Sequence, residues 1–397
     1  MKNLSERAAK VGISLTTAIN TRTKQMIKEG KRVINFGIGE PDFDTPLEIR
    51  EAGIKAIKDG FTRYTPASGI PELKKAVCEK FKNENNIAYS PSQVVVTVGA
   101  KQAIYNAIQT ICTPNDEVII PLPYWVSYPD QVKLAGAVPI FLSTQEDKAF
   151  KINPKDLEKK ITSKTKILII NYPNNPSGAV YNREELEEIA SLVVNYDIYL
   201  ISDEINEKLT YEGNHISIAS LGDEIKQRTI TVNAVSKTYC MTGWRIGYAG
   251  GREEIIQVMG KIQSHSTSGA NSIAQTAAIS ALRGPQEGVE ERKKIFQQRR
   301  NLMVDKLNQI EGIRCLLPSG AFYVFPNISH FFGKGWKDWQ INNSMDLSEY
   351  FLEEQGVAVT PGSAFGCDEY VRLVYAISLQ DIEEGVDKIK EGLERLK

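Results

Sequence analysis

Lys237 follows the apolar run Thr229–Val235 and the single serine Ser236. A lysine at a strand end is often a surface cation. With its pKa depressed by burial or by a neighbouring cation, it becomes a nucleophile able to attack a carbonyl. Arg245 lies a few residues beyond it, and its planar fork could clamp a phosphate. Asp203 ends the run Ile198–Ser202. Such a carboxylate caps a strand in water or, when buried, pairs with a protonated ring nitrogen. Trp125 could stack on a flat ring or fill a core. Gly99-Ala100-Lys101 leads from Val94–Val98 into a helical pattern at Gln102–Ile111. A small-residue turn of this kind is either an ordinary connection or a cradle of free N–H groups for an anion. It is not a P-loop, and Gly37-Ile38-Gly39 is no dinucleotide fingerprint because Asp42 stands where the third glycine belongs.

These residues fall at the ends of short, continuously apolar runs, among them Glu117–Ile120, Val138–Leu142 and Ile167–Ile170. Such runs read as strands buried on both faces. Helical patterns lie between several of them, for example Glu184–Val194 with Asn182 as its N-cap. The alternation predicts an α/β fold with a largely parallel sheet covered by helices. Ligands of open α/β sheets bind beyond the carboxyl ends of the strands. Convergence of the candidates on that edge says more than any one of them.

After about Pro285 the pattern changes. A basic helix is expected at Glu287–Leu307, followed by a meander holding IRCLL, AFYVF, VAVTP and YVRLVYA and one helix at Asp346–Gln355. In the last stretch, Gln380–Leu396, the residues Ile382, Val386, Ile389, Leu393 and Leu396 form a stripe at helical spacing. The division predicted is an N-terminal arm with part of a small domain at 1–44, a large domain at 45–285 and a smaller α+β domain at 286–397.

Lys plus Arg is 48 and Asp plus Glu is 49, a net charge of −1. That balance argues against a nucleic-acid partner held by a strong basic field. No apolar run reaches the roughly 18 residues needed to cross a membrane, and no apolar segment follows the first charges, so a cytoplasmic protein is expected. The five cysteines are scattered and read as free thiols. His215, His265 and His330 are far apart in sequence, so no metal site is expected.

The segments NYPNNPSG (Asn171–Gly178), SDE (Ser202–Glu204) and SKTYCMTGWRIGY (Ser236–Tyr248) resemble the motif set of the fold-type I, pyridoxal-phosphate-dependent aminotransferases of class I, most of all the bacterial aspartate aminotransferases. GEPDFDTP, YTPASGIPELK, VGAKQA, PYWVSYP, PSGAFYVF and VRLVYAIS extend the resemblance along the chain in order.

The resemblance implies pyridoxal 5′-phosphate as cofactor. It makes Lys237 the residue that holds the cofactor covalently and shuttles the substrate proton, and Asp203 the partner of the ring nitrogen. Asn175 would bond the ring hydroxyl oxygen and the substrate carboxylate, and Trp125 would stack on the ring. Gly99, Ala100 and Lys101 would cradle the phosphate, completed by Ser236 and Arg245. Tyr64 would reach the phosphate of a neighbouring subunit, which implies a homodimer. Arg372 would clamp the substrate's α-carboxylate, with the Gly39 backbone beside it. Lys101 would also meet a distal carboxylate. The implied reaction is a ping-pong transfer from an L-amino acid, aspartate first, to 2-oxoglutarate. An aromatic donor, or prephenate with glutamate, is the alternative. One departure stands out: Asn206 occupies the place of a tyrosine that donates to the ring oxygen, and the shorter amide is not expected to reach as far.

Overall fold

Seven short strands form the central sheet of the computed structural model, which describes residues 5–9, 11–12 and 15–397. Most of their residues are buried, but Val138–Leu142, expected to be buried on both faces, is an edge strand with only Leu142 buried. They are β1 (Val94–Thr97), β2 (Glu117–Pro121), β3 (Val138–Leu142), β4 (Thr165–Asn171), β5 (Tyr199–Asp203), β6 (Thr229–Ala234) and β7 (Gly247–Gly250). Their order is β1-β7-β6-β5-β4-β2-β3. Strands β2 to β6 run parallel, as the alternation of runs and helices predicts. β7 is antiparallel to both β1 and β6. Its sequence, GYAG, lacks the β-branched signature and gives no strand signal.

The register sets Asn171 opposite Asp203, and Asp203 opposite Val232. The carboxyl ends of β4 and β5 are therefore level, and β6 runs two residues further, to Ala234. Helices pack both faces through separate apolar clusters, one around Ile104, Val118 and Ile201, another around Leu168, Ile189 and Leu200. The helix Arg183–Asn195 has the expected cap: Asn182 Oδ1 accepts from Glu185 N at 2.8 Å, and the Glu185 carboxylate accepts from Asn182 N at 2.8 Å. A cap of this kind contributes about 1 kcal/mol.

A second core gathers Phe296, Phe322, Leu373 and Val386 with Ile34 and Phe36 from the N-terminal part. Ile34–Asn35 pairs in parallel with Val357–Ala358. Beside them Tyr323–Val324, Val371–Val374 and Thr360–Pro361 form an antiparallel sheet. The helix Leu379–Arg395 lays its apolar stripe on this core and on the helix Glu287–Leu307. Ile382, Val386, Ile389, Leu393 and Leu396 are all buried, each contributing about 1.5–3 kcal/mol of apolar burial.

Some boundaries move. The helix expected from Asp346 starts at Ser344, because Asn343 accepts from the Met345 and Asp346 amides, and it turns π-helical at Phe351–Gln355. The helix expected from Gln102 starts at Ala100. IRCLL forms no strand: the Cys315 amide and carbonyl both pair with the Asn308 side chain, at 2.9 Å each. All five thiols are free. No helix among the described residues is long and apolar enough to cross a membrane.

Candidate active site

β5 delivers Asp203 and β6 delivers Ser236 and Lys237. The turn after β6 is held by Tyr239 N to Val235 O, 3.2 Å, and Met241 N to Ser236 O, 3.0 Å. Cys240 and Arg245 take left-handed backbone, with φ of 54° and 58°, and swing the chain back into β7. Gly99 precedes the helix Ala100–Ile111 with φ of 77°. A Cβ there would lie 2.4 Å from Arg245 Nη2, and one on Gly247 would lie 2.4 Å from the Ala100 nitrogen. At Gly247 the obstacle is backbone and no side chain fits; at Gly99 a side chain would be strained by the left-handed φ and would displace the Arg245 guanidinium. A helix start, its positive dipole end and a guanidinium are thereby brought together, which fits a phosphate.

A cavity of about 360 Å³ opens at this edge. Gly39, Ala100, Lys101, Trp125, Asn175, Asp203, Asn206, Ser236, Lys237, Arg245 and Arg372 all line it. Gly99 lies behind Arg245. Tyr64 is elsewhere and is 100% exposed. A larger open groove of about 730 Å³ adjoins the cavity and shares Lys101, Val126 and Arg245 with it. Lys237, Asp203 and Arg372 belong to the smaller space, and so does the chemistry.

The Lys237 ammonium donates to the Gly39 carbonyl. Burial lowers its pKa to about 8; Arg372 and Arg245 push the same way and Glu40 opposes them. Asp203 is buried, and burial raises its carboxyl to about 6 against the hydrogen bonds from Tyr128 and the Ile205 amide. Arg372 is 6% exposed. Its guanidinium donates to Gly37 O at 2.7 Å, Thr360 Oγ1 at 3.2 Å and Asn175 Oδ1 at 3.1 Å, and its Nε has no partner. It lies 5.0 Å from the ring centroids of both Tyr323 and Phe365. Burial lowers it to about 10, and among the described residues no carboxylate acts on it. A buried cation without a counter-charge is costly unless an anion arrives. Lys101 is likewise lowered by burial and by Arg245, again with no carboxylate acting on it, and its ammonium sits 4.9 Å from the Trp125 ring centroid.

Asn206 is buried at the cavity wall. Its Nδ2 donates to the Pro173 carbonyl at 3.1 Å, and its Oδ1 has no partner. One of the two N–H groups of this amide is thus taken by backbone.

Several site residues were not singled out by the sequence reading. Tyr128 donates to Asp203 Oδ2 at 2.6 Å. Tyr323 lines the cavity beside Gly39, and Thr360 holds Arg372. Tyr128 and Tyr323 stand inside the quoted stretches PYWVSYP and PSGAFYVF, which was the available signal. Behind the sheet, Glu204, Glu207 and His215 lie within 4.8 Å of one another. Their oxygens are engaged: Glu204 by Ser202, Ser217 and His215, Glu207 by Lys80 and Asn85. No sequence spacing signals that network.

The sheet order, the glycine-seated anion cradle and a lysine facing a buried carboxylate define a fold-type I enzyme that uses pyridoxal 5′-phosphate. The description "Aminotransferase class I and II" matches residues 31–389, and the chain belongs to that family. It is 47% identical over 394 residues to an aspartate aminotransferase of Bacillus subtilis, covering 99% of each chain. The solved aspartate aminotransferase of Rhizobium meliloti superposes with a TM-score of 0.96 at 41% identity, covering 100% of both chains. An aspartate aminotransferase of Thermus thermophilus solved with maleate gives 0.93 at 40% identity, covering 99% of this chain and 100% of that one.

Proposed function

We propose that this aminotransferase moves the amino group of L-aspartate to 2-oxoglutarate by a ping-pong mechanism. The observation that carries the reading is a pair of cations in one cavity, Arg372 and Lys101, on neither of which a carboxylate acts among the described residues. Two cations suit a substrate with two carboxylates. The Thermus relative was solved with maleate, itself a dicarboxylate, and the name of the Bacillus relative does not favour the aromatic or prephenate alternative.

Bound pyridoxal 5′-phosphate supplies an aldehyde that condenses with amines and a protonated ring that draws electrons from a broken Cα–H bond. The start of the helix Ala100–Ile111, Ser236 and Arg245 bind its phosphate. Asp203 holds the proton on its ring nitrogen, and Trp125 covers its face. Asn175 Oδ1 is taken by Arg372, so Nδ2 is left to donate to the ring oxygen. Arg372 receives the α-carboxylate in its fork beside Gly39. The Lys237 amine would take the proton from the substrate Cα and deliver it to C4′ within the same half-reaction, and carry it the opposite way in the second.

We also propose a homodimer. Leu47, Ile54, Ile57 and Phe61 leave an apolar strip exposed next to Tyr64, which suits a second copy, so that the partner subunit's Tyr64 reaches the phosphate. We also propose a domain division at residues 45 and 286, since the core around Phe296, Phe322 and Leu373 draws all its buried residues but Leu209 from outside 45–285. A cytoplasmic location is part of the same proposal.

The test is a donor panel on the purified holoprotein. L-aspartate should bleach the visible cofactor band fastest and 2-oxoglutarate should restore it. A band bleached fastest by an aromatic donor would overturn the aspartate assignment.

A further inference from the structure

We infer that Tyr128 is a positioning residue that aligns both side chains meant for the cofactor ring, the carboxylate of Asp203 and the indole of Trp125. The inference rests on the cofactor assignment above. Tyr128 is 2% exposed and opens the helix Tyr128–Leu134, where its amide donates to Trp125 O at 3.1 Å. Its hydroxyl donates to Asp203 Oδ2 at 2.6 Å. The other carboxylate oxygen has only a longer bond, from Ile205 N at 3.3 Å. Tyr128 therefore supplies the short, charge-assisted contact that sets the rotation of the carboxylate. Its ring meets Trp125 edge-on, with centroids 5.3 Å apart and planes at 72°. One rigid aromatic side chain, fixed at a helix start, thus touches the residue that covers the ring and the residue that bonds its nitrogen.

Burial and the Asp203 charge push the phenol of Tyr128 well above its ordinary pKa, so it stays a donor at any working pH. Removing the hydroxyl would leave a buried carboxylate oxygen unsatisfied, which disfavours the charged form that must face a pyridinium.

The experiment titrates pyridoxal 5′-phosphate into the apoproteins of wild type, Tyr128→Phe, Asp203→Asn and the double variant. Binding is followed by visible absorbance and by circular dichroism of the bound chromophore. Wild type failing to bind the cofactor would sink the cofactor assignment itself and is readable separately. With wild type binding, Tyr128→Phe should bind about tenfold more weakly or worse. The acid limb of its affinity profile should move to higher pH, and the dichroic band should change as the Asp203 carboxylate loses the contact that sets its rotation, the phenyl ring still meeting Trp125 edge-on. In the Asp203→Asn background the same substitution should change affinity by less than about twofold, because the charge it serves is gone. Unchanged affinity and pH profile in Tyr128→Phe, or an undiminished loss in the Asp203→Asn background, would overturn the inference.

Discussion

One hydrogen bond, Arg372 Nη1 to Asn175 Oδ1 at 3.1 Å, joins the turn after β4 to the strand Val371–Val374 of the second core. It aims the guanidinium into the cavity and settles which way the Asn175 amide faces. It also leaves Arg372 without a carboxylate partner among the described residues. Replacing Arg372 by Ala should therefore raise KM for every amino acid, whatever its side chain. Losing a hydrogen-bonded charge partner in a site costs about 2–5 kcal/mol, so kcat/KM should fall by about thirtyfold or more. Steady-state kinetics with aspartate and alanine check this; a loss confined to aspartate would contradict it.

Lys101 should behave differently. It sits against Trp125 and beside Arg245, where it would meet the side-chain carboxylate of an acidic substrate. Lys101→Ala should reduce kcat/KM for aspartate and glutamate by about tenfold or more relative to alanine. Equal losses for alanine and aspartate would mean that Lys101 serves the phosphate alone.

Asp203 carries a stability consequence. Burial raises its carboxyl to about 6 in the folded chain, against 3.8 for the ordinary group. Between those values the folded chain holds a proton that the unfolded chain has lost. The stability from this group is complete below about pH 4 and is lost as pH rises to about 6. At neutral pH the buried charge costs the cofactor-free chain on the order of 2–3 kcal/mol. Asp203→Asn should raise the thermal midpoint of the apoprotein at neutral pH while weakening cofactor binding. Thermal scans of the two apoproteins decide it, and a lower midpoint for the variant would contradict the argument.

One of the two amide N–H groups of Asn206 is held by the Pro173 carbonyl, and the amide is shorter than the tyrosine side chain whose place it takes. A phenol at this position would donate to the ring oxygen and favour its ionised form. Without that donor, more negative charge on the oxygen is left to hold the proton on the nitrogen linking Lys237 to the cofactor. Asn206→Tyr should move the visible titration of the bound cofactor to lower pH, each unit corresponding to about 1.36 kcal/mol. Coincident titrations would show the replacement to be electronically silent.

Motifs made the charged centre of the site legible: Lys237, Asp203, Arg245 and Arg372 stand in segments whose order and spacing are distinctive. What stayed hidden has physical reasons. Tyr128 acts on a carboxylate distant in sequence, and only parallel pairing and a helix start bring the two together. β7 is a strand because its glycines let the helix at Ala100 and the Tyr89 ring press close, and glycine is a poor strand former. The apolar run at Cys315 reads as a strand, yet its backbone is satisfied by one asparagine side chain. Tyr64 is fully exposed and away from the cavity that holds Lys237, so a single subunit gives it no visible task.

Lys237, its pKa lowered to about 8 by burial, shares one cavity with Gly39, Asn175, Asp203 and Arg372. Lys237→Ala should still take up cofactor at the phosphate cradle but lose at least about 10²–10⁴ in transamination. The most direct measurement is borohydride reduction of the holoprotein followed by peptide mapping. The pyridoxyl label should fall on Lys237 alone; a label on any other lysine would contradict the assignment.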